Sequence, residues 1–109
     1  MSRKVRICTI SMNSEIHANR STREDRFREA EQKIQRGALD KPDLFLLPEH
    51  FLVNDAPKAG RDAEVPGGEA YQRLGKLARE THAYVAASVY TPAPGGIYNS
   101  IVLFDRKGD

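Results

Sequence analysis

The chain has 109 residues, 29% of them charged and 39% hydrophobic, with a formal net charge of +2; it can bury one core but is small for a two-sheet enzyme. So balanced a charge presents no broad basic face and excludes nucleic acid as the default partner. No run approaches the roughly 18 apolar residues of a membrane span and the first residues lack a signal peptide's apolar centre, which predicts no membrane partner and a cytoplasmic location.

The first predicted element is a strand over Lys4 to Met12, where Val5, Ile7 and Thr9 alternate with Arg6, Cys8 and Ile10. Ser21-Thr22-Arg23-Glu24 has the form of a capping box, and Phe27, Ala30, Ile34 and Ala38 then recur at helical intervals. Glu24 with Arg28 and Glu29 with Lys33 are pairs in the favourable i,i+4 order, each stabilising by about 0.2 to 0.5 kcal/mol, so this charge run is a solvated helix face. Gly37 and Asp40-Lys41-Pro42 end that helix. Four consecutive large apolar residues, Leu44 to Leu47, then predict a strand buried on both faces, closed by Pro48.

Val53 to Gly68 is polar and punctuated by Pro57, Gly60, Pro66, Gly67 and Gly68, a loop rather than an interdomain linker. A second helix is expected from Glu69 to about His82, with Tyr71, Leu74, Leu77 and Ala78 on one face. Tyr84 to Tyr90 is the third strand, and Thr91 to Ile97 a short connection into an antiparallel fourth strand, Tyr98 to Phe104. Helical crossovers make the first three strands parallel and leave the fourth antiparallel at one side.

Glu49 emerges at the carboxyl end of the second strand, the edge where open α/β sheets bind ligands. His50 adjoins it, although neighbours on an extended segment point in opposite directions. Asn99 and Ser100 could reach the same place from a nearby strand, or satisfy local backbone groups. The single cysteine, Cys8, excludes an intramolecular disulfide framework and a cysteine-rich zinc site, and within the first strand it acts as a small apolar group. His17, His50 and His82 lack ligand spacing, so no metal is expected. Gly67-Gly68 belongs to no Gly-x-Gly-x-x-Gly or P-loop pattern and serves as a turn.

The first strand, Leu46-Leu-Pro-Glu49, and Tyr98-Asn-Ser-Ile-Val-Leu-Phe-Asp-Arg-Lys-Gly108 occur in an order that resembles the nitrilase superfamily, the carbon-nitrogen hydrolases. The resemblance implies an α/β fold, the N-terminal part of a four-layer αββα sandwich, with a mixed sheet and helices on one face. It implies hydrolysis of a non-peptide amide, carbamoyl or nitrile substrate by a Glu-Lys-Cys triad, without a cofactor. In that chemistry a thiolate attacks, a base takes up and returns its proton, and a lysine stabilises the tetrahedral charge. Glu49 matches the base, with His50, Phe51 and Asn99 as substrate-binding candidates. Lys58, Lys76 and Lys107 do not fall where the family lysine belongs, and the family positions of that lysine and of the cysteine lie beyond Asp109. Residues 1–109 are therefore expected to be a partial domain, inactive alone. With its second sheet absent, a face built from Val5, Ile7, Val102 and Phe104 would lack its cover, favouring self-association or partial unfolding.

Two other readings remain. Asn13 and Glu49 could bind a divalent ion as in nucleases and phosphatases of the DNase I-like class, although those have Gln rather than Pro before the Glu. A non-catalytic fragment that pairs with another chain is the third.

Overall fold

The structure, a computed structural model, describes residues 3–12, 22–53 and 62–109. Strand β1 (Ile7–Thr9) leads to helix α1 (Arg23–Gly37), which runs into a 3-10 turn at Ala38–Asp40 before strand β2 (Leu44–Leu46). Helix α2 (Glu69–Thr81) then precedes the hairpin of β3 (Tyr84–Ala93) and β4 (Gly96–Phe104). The sheet order is β1-β2-β3-β4, parallel except for the last pair. This is the expected mixed α/β sheet, with both helices packed on one face.

Local chemistry sets the element ends. Helix α1 has a capping box, one residue later than the sequence predicts: Thr22 accepts from the Asp25 backbone N–H while the Asp25 carboxylate accepts from that of Thr22. Either Ser21 or Thr22 could open such a box, and the register that buries Phe27, Ala30 and Ile34 selects Thr22. The hairpin is tighter than expected, because Ala93 pairs with Gly96 around Pro94-Gly95, where Gly95 supplies the left-handed step (φ 73°). Strand β1 covers only the middle of its predicted span.

The core lies between the helices and one sheet face. Phe27, Ala30 and Ile34 of α1 and Ala70, Leu74, Leu77 and Ala78 of α2 meet Phe45, Val85, Ala87, Val89 and Phe104 of the sheet. Cys8 joins them half-buried on β1, in its predicted apolar role. Helix and sheet approach so closely at Gly37 that a Cβ there would lie 2.9 Å from Cys8 Sγ.

The other sheet face is open, and strand parity decides who occupies it. Val5 and Ile7 are exposed there as expected, but Val102 and Phe104 face the helices, and Ile101 and Leu103 stand on the open side instead. The antiparallel register pairing Val85 with Phe104 puts Phe104 on the covered face. Parity also corrects the expectation for β2: Phe45 and Leu47 are buried while Leu46 is exposed, so that strand is covered on one face only. At the amino ends of the parallel strands, Asp43 accepts from the Arg6 backbone N–H and from the Arg3 and Arg106 guanidinium groups. The Arg6 N–H foremost, with both arginine charges, holds its carboxyl below the usual range.

Candidate active site

Glu49 lies at the opposite end of the same strand. Sheet pairing continues past β2, since the Leu47 N–H donates to Ala86 O. Pro48 then halts the ladder, and Glu49 to Leu52 form a turn closed by the Val53 N–H donating to His50 O at 3.1 Å. Phe51 anchors this turn: it is buried, with its ring edge-on to Phe27 at 5.8 Å, and its carbonyl accepts from Arg26 Nη1 at 3.3 Å. Its side chain therefore lies in the core, behind the turn.

On the open side, the turn borders a cavity of about 500 Å³ lined by Leu46, Pro48, Glu49, Ser88, Asn99 and Ile101, among others. Asn99 of β4 donates through Nδ2 to Glu49 Oε1 at 3.1 Å, and its Oδ1 accepts from Ser88 Oγ at 3.3 Å. His50 Nε2 approaches the same Glu49 oxygen to 3.0 Å, and its ring stacks on Tyr90 at 4.3 Å with an interplanar angle of 11°. The expectation that Glu49 and His50 diverge thus fails: they lie in a turn rather than on an extended segment, and His50 has a left-handed backbone (φ 52°). Ser100, by contrast, sits on the helix-facing side of β4, its hydroxyl 2.6 Å from that of Thr91.

Burial, joined by the negative charges of Glu49 and Asp62, pushes the Tyr90 phenol upward, so it stays protonated at neutral pH. The Glu49 side chain is 68% exposed, so the described residues orient it without removing it from water. Cys8 faces the helices, on the other side of the sheet from Glu49. Among the described residues no group of three His, Cys, Asp or Glu side chains could hold a metal ion, and Asn13 lies outside them. Tyr90 and Ser88 are site residues that sequence reasoning missed. Their signal is the period of two along β3, which puts Tyr90 directly opposite Asn99 and Ser88 two residues away on the same face.

The carbon-nitrogen hydrolase family model matches residues 4–109, nearly the whole chain. This chain belongs to the carbon-nitrogen hydrolase family. Solved structures agree at the level of the fold. A carbon-nitrogen hydrolase from Helicobacter pylori G27 superposes with a TM-score of 0.71 at 18% identity, over 96% of this chain and 36% of that one. An N-terminal amidase bound to an Asn-Glu-Ala peptide gives 0.71 at 13% identity, over 96% and 26%. The C. elegans NitFhit protein gives 0.68 at 18% identity, over 96% and 25%. The chain thus spans about a quarter to a third of the length of these relatives. No curated protein matches it.

Proposed function

We propose that residues 1–109 form the N-terminal part of a carbon-nitrogen hydrolase domain in which Glu49 is the general base, acting on a non-peptide amide, carbamoyl or nitrile substrate. The observation that carries this reading is the place of Glu49 at the carboxyl end of an interior strand, bordering a cavity and held by Asn99. Nitriles and amides are weak electrophiles, so the reaction needs a thiolate, a base to carry its proton and a cation to stabilise the developing charge. Glu49 supplies the base; the lysine and cysteine would come from residues outside 1–109. Those residues would also cover the open sheet face and exclude water from Glu49. Without them the chain is inactive and associates with copies of itself, and we place it in the cytoplasm.

The test has two arms. The purified chain is expected to hydrolyse simple amides and nitriles only at background rate. Joined to a family segment carrying the lysine and cysteine, it should gain activity that Glu49→Gln lowers by about 10²- to 10⁴-fold, the usual contribution of a general base. Activity unaffected by Glu49→Gln would overturn the assignment. Cleavage of phosphodiesters that requires added magnesium would instead favour the metal-dependent reading through Asn13 and Glu49.

A further inference from the structure

Two groups converge on one oxygen of Glu49. Asn99 Nδ2 donates to Oε1 at 3.1 Å, and His50 Nε2 stands 3.0 Å from the same atom. Among the described residues Oε2 accepts no hydrogen bond. The His50 ring is fixed from behind by its stack on Tyr90, and Tyr90 is the direct cross-strand partner of Asn99. Two neighbouring strands therefore hold the two groups that meet Oε1.

The backbone of His50 is the second observation. A left-handed φ of 52° is disfavoured for any residue with a Cβ. Here it swings the imidazole to the side of the preceding Glu49, where an extended chain would have separated them. The other two left-handed non-glycine residues among those described, Lys41 and His82, cap helical turns, whereas His50 caps no helix and its conformation serves to aim the ring. The surroundings of the ring also select its tautomer. Its Nδ1 is buried with no partner among the described residues, so a proton there would be stranded, and the neutral ring carries its proton on Nε2, towards Glu49.

We propose that His50 is a positioning residue for Glu49: seated on Tyr90, it fixes Oε1 jointly with Asn99 and leaves Oε2 as the oxygen presented to the reacting groups. This rests on the reading of Glu49 as the base. The experiment measures three-bond couplings from Glu49 Cγ to its backbone nitrogen and carbonyl carbon, which report the χ1 rotamer, in the isotope-labelled chain. The native chain is expected to show the couplings of one staggered rotamer. His50→Gly suits the left-handed backbone and removes the ring, and it should average the couplings between trans and gauche values. His50→Gln, which restores an N–H donor, should recover them at least in part. Tyr90→Leu keeps the imidazole but removes its platform, and should produce intermediate averaging even if the glycine variant fails to fold. The imidazole nitrogen shifts should show the Nε2-protonated tautomer. Averaged couplings in the native chain, unchanged couplings in a folded His50→Gly variant, or a ring protonated on Nδ1 would overturn the proposal. Because the couplings are read without turnover, such a result leaves the role of Glu49 standing, whereas hydrolysis indifferent to Glu49→Gln removes that role and leaves the coupling result intact.

Discussion

If the chain self-associates through its open sheet face, as proposed, replacing Ile101 by Lys and Leu103 by Glu should turn it into a monomer. On the open sheet face Val5 and Ile7 are each 60% exposed, Leu46 42%, Ile101 77% and Leu103 58%. Fully burying one such side chain is worth about 1.5 to 3 kcal/mol, so covering all of them would gain roughly 5 to 9 kcal/mol per copy. Two faces packed together would gain about twice that, against roughly 4 to 15 kcal/mol for lost translational and rotational freedom. The midpoints leave a surplus of about 5 kcal/mol, which corresponds to a dissociation constant of roughly 0.2 mM. The substituted charges suit their neighbours: Lys at 101 shares its cavity with Glu49, and Glu at 103 lies beside Arg3 and Arg106. Sedimentation velocity from about 10 µM to about 1 mM should show the native chain growing in mass and the double variant constant, with the helical signal preserved. Moving the charges one residue along, to Val102 and Phe104, should unfold the chain, because those side chains pack on the core. A native chain that sediments as a monomer throughout, or a double variant that associates equally, would refute the reasoning.

Gly37→Ala removes the helix penalty of glycine, about 1 kcal/mol, but its Cβ would lie 2.9 Å from Cys8 Sγ and 3.1 Å from Phe45 Cε1. It should lower thermal stability, and adding Cys8→Ala should recover part of the loss in a double-mutant cycle. Thr22→Ala breaks the capping box of α1 and should cost about 0.5 to 2 kcal/mol in denaturant unfolding, with Thr22→Ser close to native. The carboxyls of Glu24, Asp43, Glu69 and Asp105 are all held below their ordinary values, foremost by Arg73, the Arg6 N–H, Arg23 and the Asp109 N–H respectively. The folded chain thus binds fewer protons than the unfolded one, so this stability is present above about pH 4.5 and is lost as pH falls through the folded values. The thermal midpoint should accordingly drop on acidification to about pH 3, with a shallower drop in Asp43→Asn; a midpoint insensitive to acid would contradict it.

Helix positions and strand order were legible because they rest on local periodicity and on the geometry of crossovers. The spacing of Phe27, Ala30 and Ile34 places α1, and the Pro94-Gly95 turn makes the last two strands antiparallel. The face that each strand residue takes was less legible where both parities are apolar. Ile101, Val102, Leu103 and Phe104 give no alternation, so only the register against β3 decides that Phe104 turns inward. The capping box slipped for a similar reason, since adjacent Ser21 and Thr22 are both good N-caps and tertiary burial chooses between them.

The site divides along the same line. Glu49 could be found from the chain because an apolar run ending in proline fixes where a strand stops, and the residue after that proline must emerge at the carboxyl edge. Its contacts depend on facts that no local pattern contains. Asn99 is fifty residues away and reaches Glu49 only because β4 returns beside β3 in the register that sets Asn99 opposite Tyr90. His50 reaches it through a single left-handed φ, which the identity of a histidine does not announce. The exposure of Glu49 has the same origin. A carboxylate that is to serve as a general base near neutral pH needs low-dielectric surroundings, and strand order alone supplies an edge, not a lid. If the open face is covered by a second sheet, the mass that stabilises the domain and the mass that dries Glu49 are the same. On the proposed reading, folding of the whole domain and competence of Glu49 as its base would then rise and fall together.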